Sequence, residues 1–211
     1  MSHRAQIKIC GLNSPEALQA ALLHGADFGG LVFYPASPRA VSADFAASLC
    51  AQSAARIKMV GLFVDPDDDF LDSVTQRAGL DLIQLHGHED AKRVQAVRAR
   101  TGLPVIKAIR LASKDDLKTL PAYEAVADWL LFDTKVEGQA GGTGVAFDWS
   151  ILNGFKSRLP WMLSGGLNAD NIGRALQILQ PDAVDVSSGV EDAPGRKSPE
   201  KIRILIRAIN P

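Results

Sequence analysis

What most limits how this chain can fold is a pattern repeated eight times: a short apolar run, a turn, then apolar residues at helical spacing. The runs fall at residues 6–10, 28–33, 57–64, 80–85, 105–109, 129–132, 161–163 and 183–186. Each unit takes roughly 20 to 30 residues. Continuous apolar runs suit strands buried on both faces, and alternation with amphipathic helices calls for a parallel sheet. Eight such units predict an α/β fold, a single-domain (β/α)8 TIM barrel over residues 1–211. An open doubly wound sheet is the rival arrangement.

Local signals place the helices. Ser14-Pro15 offers an N-cap followed by proline at the first helical position, and Gly25 ends that helix. Ser42 is positioned to cap a helix carrying Phe45, Leu49 and Cys50, and Asp65-Pro66-Asp67 opens a helix with acidic residues in its first turn. Residues 89–100 and 114–126 read as helices, 149–152 as a short one, and 169–179 as a helix capped by Asn168. Ser198-Pro199-Glu200 starts the last helix, with Ile202, Leu205, Ile206 and Ile209 on one face. A glycine-rich loop at 134–145 holds Gly138, Gly141, Gly142 and Gly144 and reads as a lid.

Composition narrows the class. The formal net charge of −1 argues against a nucleic-acid partner or a membrane surface. No apolar run nears the ~20 residues of a membrane span, and the N-terminus carries no signal-like segment. Cys10 and Cys50 make neither a disulfide framework nor a metal spacing. The expectation is a cytoplasmic protein acting on a small molecule, as a monomer or a homodimer.

In a barrel of this kind, chemistry sits where strands end. Those positions hold Cys10, Arg39, His86, Asp133 and two small-residue stretches, Ser164-Gly165-Gly166-Leu167-Asn168 and Ser187-Ser188-Gly189-Val190-Glu191. The two stretches close neighbouring strands. Their backbone N–H groups are expected to converge on one point, with a following helix start adding positive partial charge. That is a seat for phosphate that needs no lysine. Asp185 is a carboxylate inside an apolar run, so it either bonds sugar hydroxyls or serves the barrel's inner layer.

The strand-end strings resemble those of one family. Lys8-Ile9-Cys10-Gly11, Ser37-Pro38-Arg39, Gln84-Leu85-His86-Gly87, Phe132-Asp133-Thr134, Gly141-Gly142-Thr143-Gly144, Leu163-Ser164-Gly165-Gly166-Leu167 and Asp185-Val186-Ser187-Ser188-Gly189-Val190-Glu191 occur in the order found in phosphoribosylanthranilate isomerases. Asp27-Phe28-Gly29-Gly30 departs from the usual aliphatic-Gly-Phe/Leu order. The expectation is that this alters barrel packing and leaves the chemistry undisturbed.

The resemblance implies an Amadori rearrangement of N-(5-phosphoribosyl)anthranilate in tryptophan biosynthesis, with no cofactor and no metal. It implies Cys10 as base and Asp133 as acid. A base of this kind must be a thiolate, whose formation helix starts near the strand ends would favour. The acid must hold a proton near neutral pH. Arg39 is implied as a fork for the anthranilate carboxylate. The phosphoribosyl tail falls to Gly166, Ser187, Ser188 and Gly189, with Gly165 shaping the turn. His86 either lines the pocket or satisfies a backbone group, and Gly142 belongs to the lid. A related aldose–ketose isomerase of histidine biosynthesis is the nearest alternative, but such enzymes use an aspartate where Cys10 stands. A non-catalytic barrel that serves as a binding module is the other.

Overall fold

The computed structural model describes residues 4–134 and 148–210. Eight parallel strands close into a barrel in sequence order, which settles the choice between barrel and open sheet. They are β1 (Gln6–Cys10), β2 (Phe28–Val32), β3 (Lys58–Phe63), β4 (Leu82–Leu85), β5 (Val105–Leu111), β6 (Trp129–Thr134), β7 (Trp161–Leu163) and β8 (Ala183–Val186). Between them run α1 (Pro15–His24), α2 (Ala43–Ser53), α3 (Asp68–Ala78), α4 (Ala91–Thr101), α5 (Leu120–Glu124) and α6 (Ile172–Ile178). After β8 come a two-stranded hairpin of β9 (Glu191–Ala193) and β10 (Arg196–Lys197), then α7 (Pro199–Ile209).

Helix starts follow side-chain chemistry. Ser14 accepts from the Ala17 N–H, Ser42 from Phe45, Asp67 from Phe70 and Asp90 from Arg93, each satisfying an N–H that the first helical turn leaves unpaired. Several expected helices are shorter than their sequence patterns. Residues 114–126 divide into a 3-10 turn at Lys114–Thr119 and the short α5, with Pro121 in its first turn. The expected apolar stripe of α2 is partly wrong: Ala46 and Leu49 are buried, but Phe45 is 37% exposed.

The alternation of strand side chains divides the interior. Ile7 and Ile9 of β1, with Val184 and Val186 of β8, face the helices. Inside the barrel, Phe28, Val60, Leu82, Ile106, Leu131 and Met162 form an apolar layer. Lys8, Gln84 and Asp185 are also buried. Cys10, Val32 and Leu62 pack together nearer the strand C-termini.

One device recurs four times. Asp27, Asp81, Asp128 and Asp182 each precede an even-numbered strand. Each accepts a hydrogen bond from a backbone N–H of the preceding odd strand: Ile7 at 2.8 Å, Met59 at 2.7 Å, Val105 at 2.9 Å and Trp161 at 2.9 Å. The strands are thereby clamped in pairs at the end away from the cleft.

Candidate active site

A cleft opens at the C-terminal ends of the strands. Cys10, Arg39, His86, Asp133, Asp185 and Ser187 are all on its wall. It adjoins a smaller recess lined by Gly165, Gly166, Ser187 and Ser188, and the two share Asp133, Ser164, Asp185 and Ser187. The strand ends singled out from sequence therefore come together at one mouth. Gly142 lies outside the described residues, as does the glycine-rich loop apart from Thr134.

Cys10 ends β1 and is buried. Burial pushes the Cys10 thiol up and nearby Asp185 adds to it, while Lys8 and Lys197 pull the other way. The helix start nearest to it in sequence is that of α1, whose N-cap Ser14 follows Cys10 by four residues. Beyond β8 there is only a 3-10 turn at Ser188–Val190, and α6 begins at Ile172, well past Gly166.

Asp133, near the end of β6, is held from two sides. Its Oδ1 accepts from the Thr134 N–H at 2.8 Å, and its Oδ2 lies 3.1 Å from His86 Nε2. His86 Nδ1 lies 2.9 Å from Gln84 Nε2. With that amide donating to Nδ1, the ring hydrogen sits on Nε2 and donates to the carboxylate. The His86 carbonyl in turn accepts from Arg110 Nη2 at 2.7 Å. His86 thus lines the cleft and orients Asp133, whereas the sequence suggested only a pocket or backbone contact.

Arg39 comes from the loop after β2, and its fork is already occupied. Nε and Nη2 donate to the two oxygens of Glu191, each at 2.8 Å. Both Nη1 hydrogens and the second Nη2 hydrogen are left outside this pair. Lys197 Nζ reaches the same carboxylate at 2.5 Å and also donates to the Ser187 carbonyl at 3.1 Å. Burial alone would raise the Glu191 carboxyl, but hydrogen bonds from Arg39 and Lys197 outweigh it and hold it below the usual range. Two cations face one carboxylate here, which leaves this corner net positive. Ser187, one of the residues expected to hold phosphate, is therefore tied to a lysine.

The recess owes its shape to close backbone approach. Gly165 has φ +89°, and a Cβ on it would collide with Thr134 Oγ1 and stand 3.2 Å from Asp133 Oδ1. Only glycine lets this loop lie against the end of β6. Gly189 is not among the residues that line the recess. A Cβ there would collide with the Leu167 carbonyl, so its function is to let the two loops touch.

Asn168 does not cap a helix directly. It accepts from the N–H groups of Asp170 and Asn171 in a turn that delays α6. Gly30, in the departing stretch, pairs in register with Cys10, so that stretch reaches the site and is not confined to barrel packing.

Sequence reasoning missed Lys8, Gln84, Glu191 and Lys197 as site residues. Lys8 and Asp185 are opposite charges in buried runs of the first and last strands, which a closed barrel makes neighbours. Pro194-Gly195 was a turn signal for the hairpin that carries Glu191 and Lys197.

Comparison with known proteins agrees with this geometry. The family model for N-(5'-phosphoribosyl)anthranilate (PRA) isomerase matches residues 7–208. The chain belongs to that family. It is 52% identical over 206 residues to the N-(5'-phosphoribosyl)anthranilate isomerase of Paramagnetospirillum magneticum, covering 96% of each chain. It superposes on the phosphoribosyl anthranilate isomerase of Thermotoga maritima with a TM-score of 0.89 and 33% identity, covering 98% of each chain. A structure of a phosphoribosyl anthranilate isomerase in complex with reduced 1-(o-carboxyphenylamino)-1-deoxyribulose 5-phosphate matches with a TM-score of 0.86 and 32% identity over 98% of each chain. Among the described residues no helix is long and apolar enough to cross a membrane.

Proposed function

We propose that the chain, as a monomer or a homodimer, converts N-(5-phosphoribosyl)anthranilate to 1-(2-carboxyphenylamino)-1-deoxyribulose 5-phosphate, with Asp133 as acid and Cys10 as base. Membership of the family carries the reaction. The roles are supported by one observation: Cys10 and Asp133 share the wall of a cleft that adjoins a glycine- and serine-lined recess.

The substrate's phosphate fits the recess of Gly166, Ser187 and Ser188, beside the excess positive charge of Lys197 and Arg39. Its anthranilate carboxylate meets the Nη1 edge of Arg39. Asp133 gives a proton to the ribose ring oxygen as the C1′–O bond breaks, and the ring opens to an imine. Cys10 removes the C2′ proton, and the electron pair moves through C2′–C1′ to the nitrogen to give an enolamine. Protonation at C1′ and loss of the hydroxyl proton at C2′ then leave the ketone. Both groups must reach one pentose from different sides, so positioning and proton transfer together supply the rate.

Turnover by Cys10→Ser and by Asp133→Asn tests the assignment. Each is expected to lower kcat by about 10² to 10⁴ with the circular dichroism spectrum unchanged. Near-normal turnover by either variant removes that residue from its role.

A further inference from the structure

The mechanism leaves two buried charges without a task. Lys8 and Asp185 stand opposite one another in the β1–β8 register, and Lys8 Nζ donates to Asp185 Oδ1 at 2.8 Å. The lysine side chain has no solvent exposure at all. Sequestering such a pair from water is costly, and apolar residues of similar size would serve packing as well. Lys8 also precedes Cys10 by two residues, so both project from the same face of β1. Across from them, β2 supplies Gly30. A Cβ on Gly30 would stand 3.0 Å from Cys10 Sγ and 3.2 Å from Lys8 Nζ, so sulfur and ammonium crowd the space that this glycine leaves.

We propose that Lys8 is a positioning residue for Cys10: its ammonium, anchored by Asp185, is the counter-charge that allows this buried sulfur to exist as a thiolate. The catalytic meaning of this rests on the reading of Cys10 as base. The charged groups around the sulfur come from several elements. Lys8 is on its own strand, Asp185 on β8 and Lys197 on β10. Tyr34, His86, Asp133 and Arg39 share the cleft, with Glu191 behind the arginine.

Burial is the largest influence and disfavours the thiolate; Lys8 opposes it, Asp185 reinforces it and Lys197 opposes it. For Lys8 itself, burial works against the charge, but Asp185 and the Cys10 sulfur outweigh it and keep the ammonium protonated. Loss of Lys8 and loss of Asp185 must therefore act on Cys10 with opposite sign. A purely structural pair would not do this, since breaking it from either side loosens the same place.

The test is the pH dependence of Cys10 alkylation by iodoacetamide, read from the mass of the Cys10 peptide. Cys50, whose thiol is pushed up to about 11 by burial and by Asp81, serves as an internal control. Lys8→Met is expected to move the Cys10 midpoint up by about one pH unit or more, slowing alkylation at pH 8 about tenfold. Asp185→Asn is expected to move it down. An unchanged midpoint in Lys8→Met, or shifts of the same sign in both variants, overturns the proposal. If Lys8→Met fails to fold because Asp185 loses its partner, Asp185→Asn decides alone: a lower midpoint supports the proposal, and an unchanged or higher one overturns it. Normal turnover by Cys10→Ser alongside opposite alkylation shifts would discard the base role and leave the Lys8 effect standing.

Discussion

Glu191 shows how a single side chain changes the reading of its neighbours. Arg39 gives both donors of its bidentate face to this carboxylate, so substrate meets an arginine already fixed in direction. Glu191→Gln keeps the shape but removes the charge that holds Arg39 and Lys197. It should raise KM about tenfold or more while changing kcat less, because the substrate's anions are bound in ground and transition states alike. An equal fall in kcat would place Glu191 in the chemical step instead. The same variant has a pH signature. The Glu191 carboxyl is held below the usual range in the folded chain, so its contribution to stability is complete above the unfolded value near 4.5 and is lost as pH falls through the lower folded value. The difference in Tm between the natural chain and Glu191→Gln should be largest near neutral pH and shrink below about pH 4. A difference that grows in acid would contradict this.

The aspartate clamps belong to the scale of the strand pair. Each removes an unpaired N–H from a strand start, and each joins an odd strand to the even strand that follows. Asp81→Ala leaves the Met59 N–H buried without its acceptor, at a cost of about 1–3 kcal/mol by urea unfolding, with kcat nearly unchanged. A loss of turnover at full stability would show that the clamp reaches the cleft. At this scale the sequence was partly legible. The runs 161–163 and 183–186 match β7 and β8 residue for residue, and the Ser14 and Ser42 caps stand where helix-start chemistry puts them. The short pieces were not legible. Residues 114–126 have helical spacing, but Ser113 and Asp116 close a capping box on a 3-10 turn, and the helix proper starts only at Leu120. The hairpin after β8 is too short to have a period, so Glu191 was read as part of a strand-end stretch and Lys197 was not singled out.

Across the whole molecule, the number and order of the units predict closure, and closure decides which distant residues meet. Lys8 and Asp185 are 177 positions apart and are still register partners, because the last strand returns to the first. Positions at strand ends follow from topology, so the meeting of Cys10, Arg39, Asp133 and Ser187 at one mouth was readable in advance. Their partners were not, because side-chain pairing depends on register and rotamer, which no periodicity encodes. That is why Glu191 beside Arg39 and Lys8 beside Cys10 were not foreseen. The most direct measurement is a crystal structure of this protein with reduced 1-(o-carboxyphenylamino)-1-deoxyribulose 5-phosphate bound. Cys10 Sγ is predicted to stand within about 3.5 Å of C2′, and a carboxyl oxygen of Asp133 within the same reach of the sugar oxygen derived from the ring, on different sides of the chain of carbons. A bound ligand with either group out of reach, or both on one side, would contradict the account.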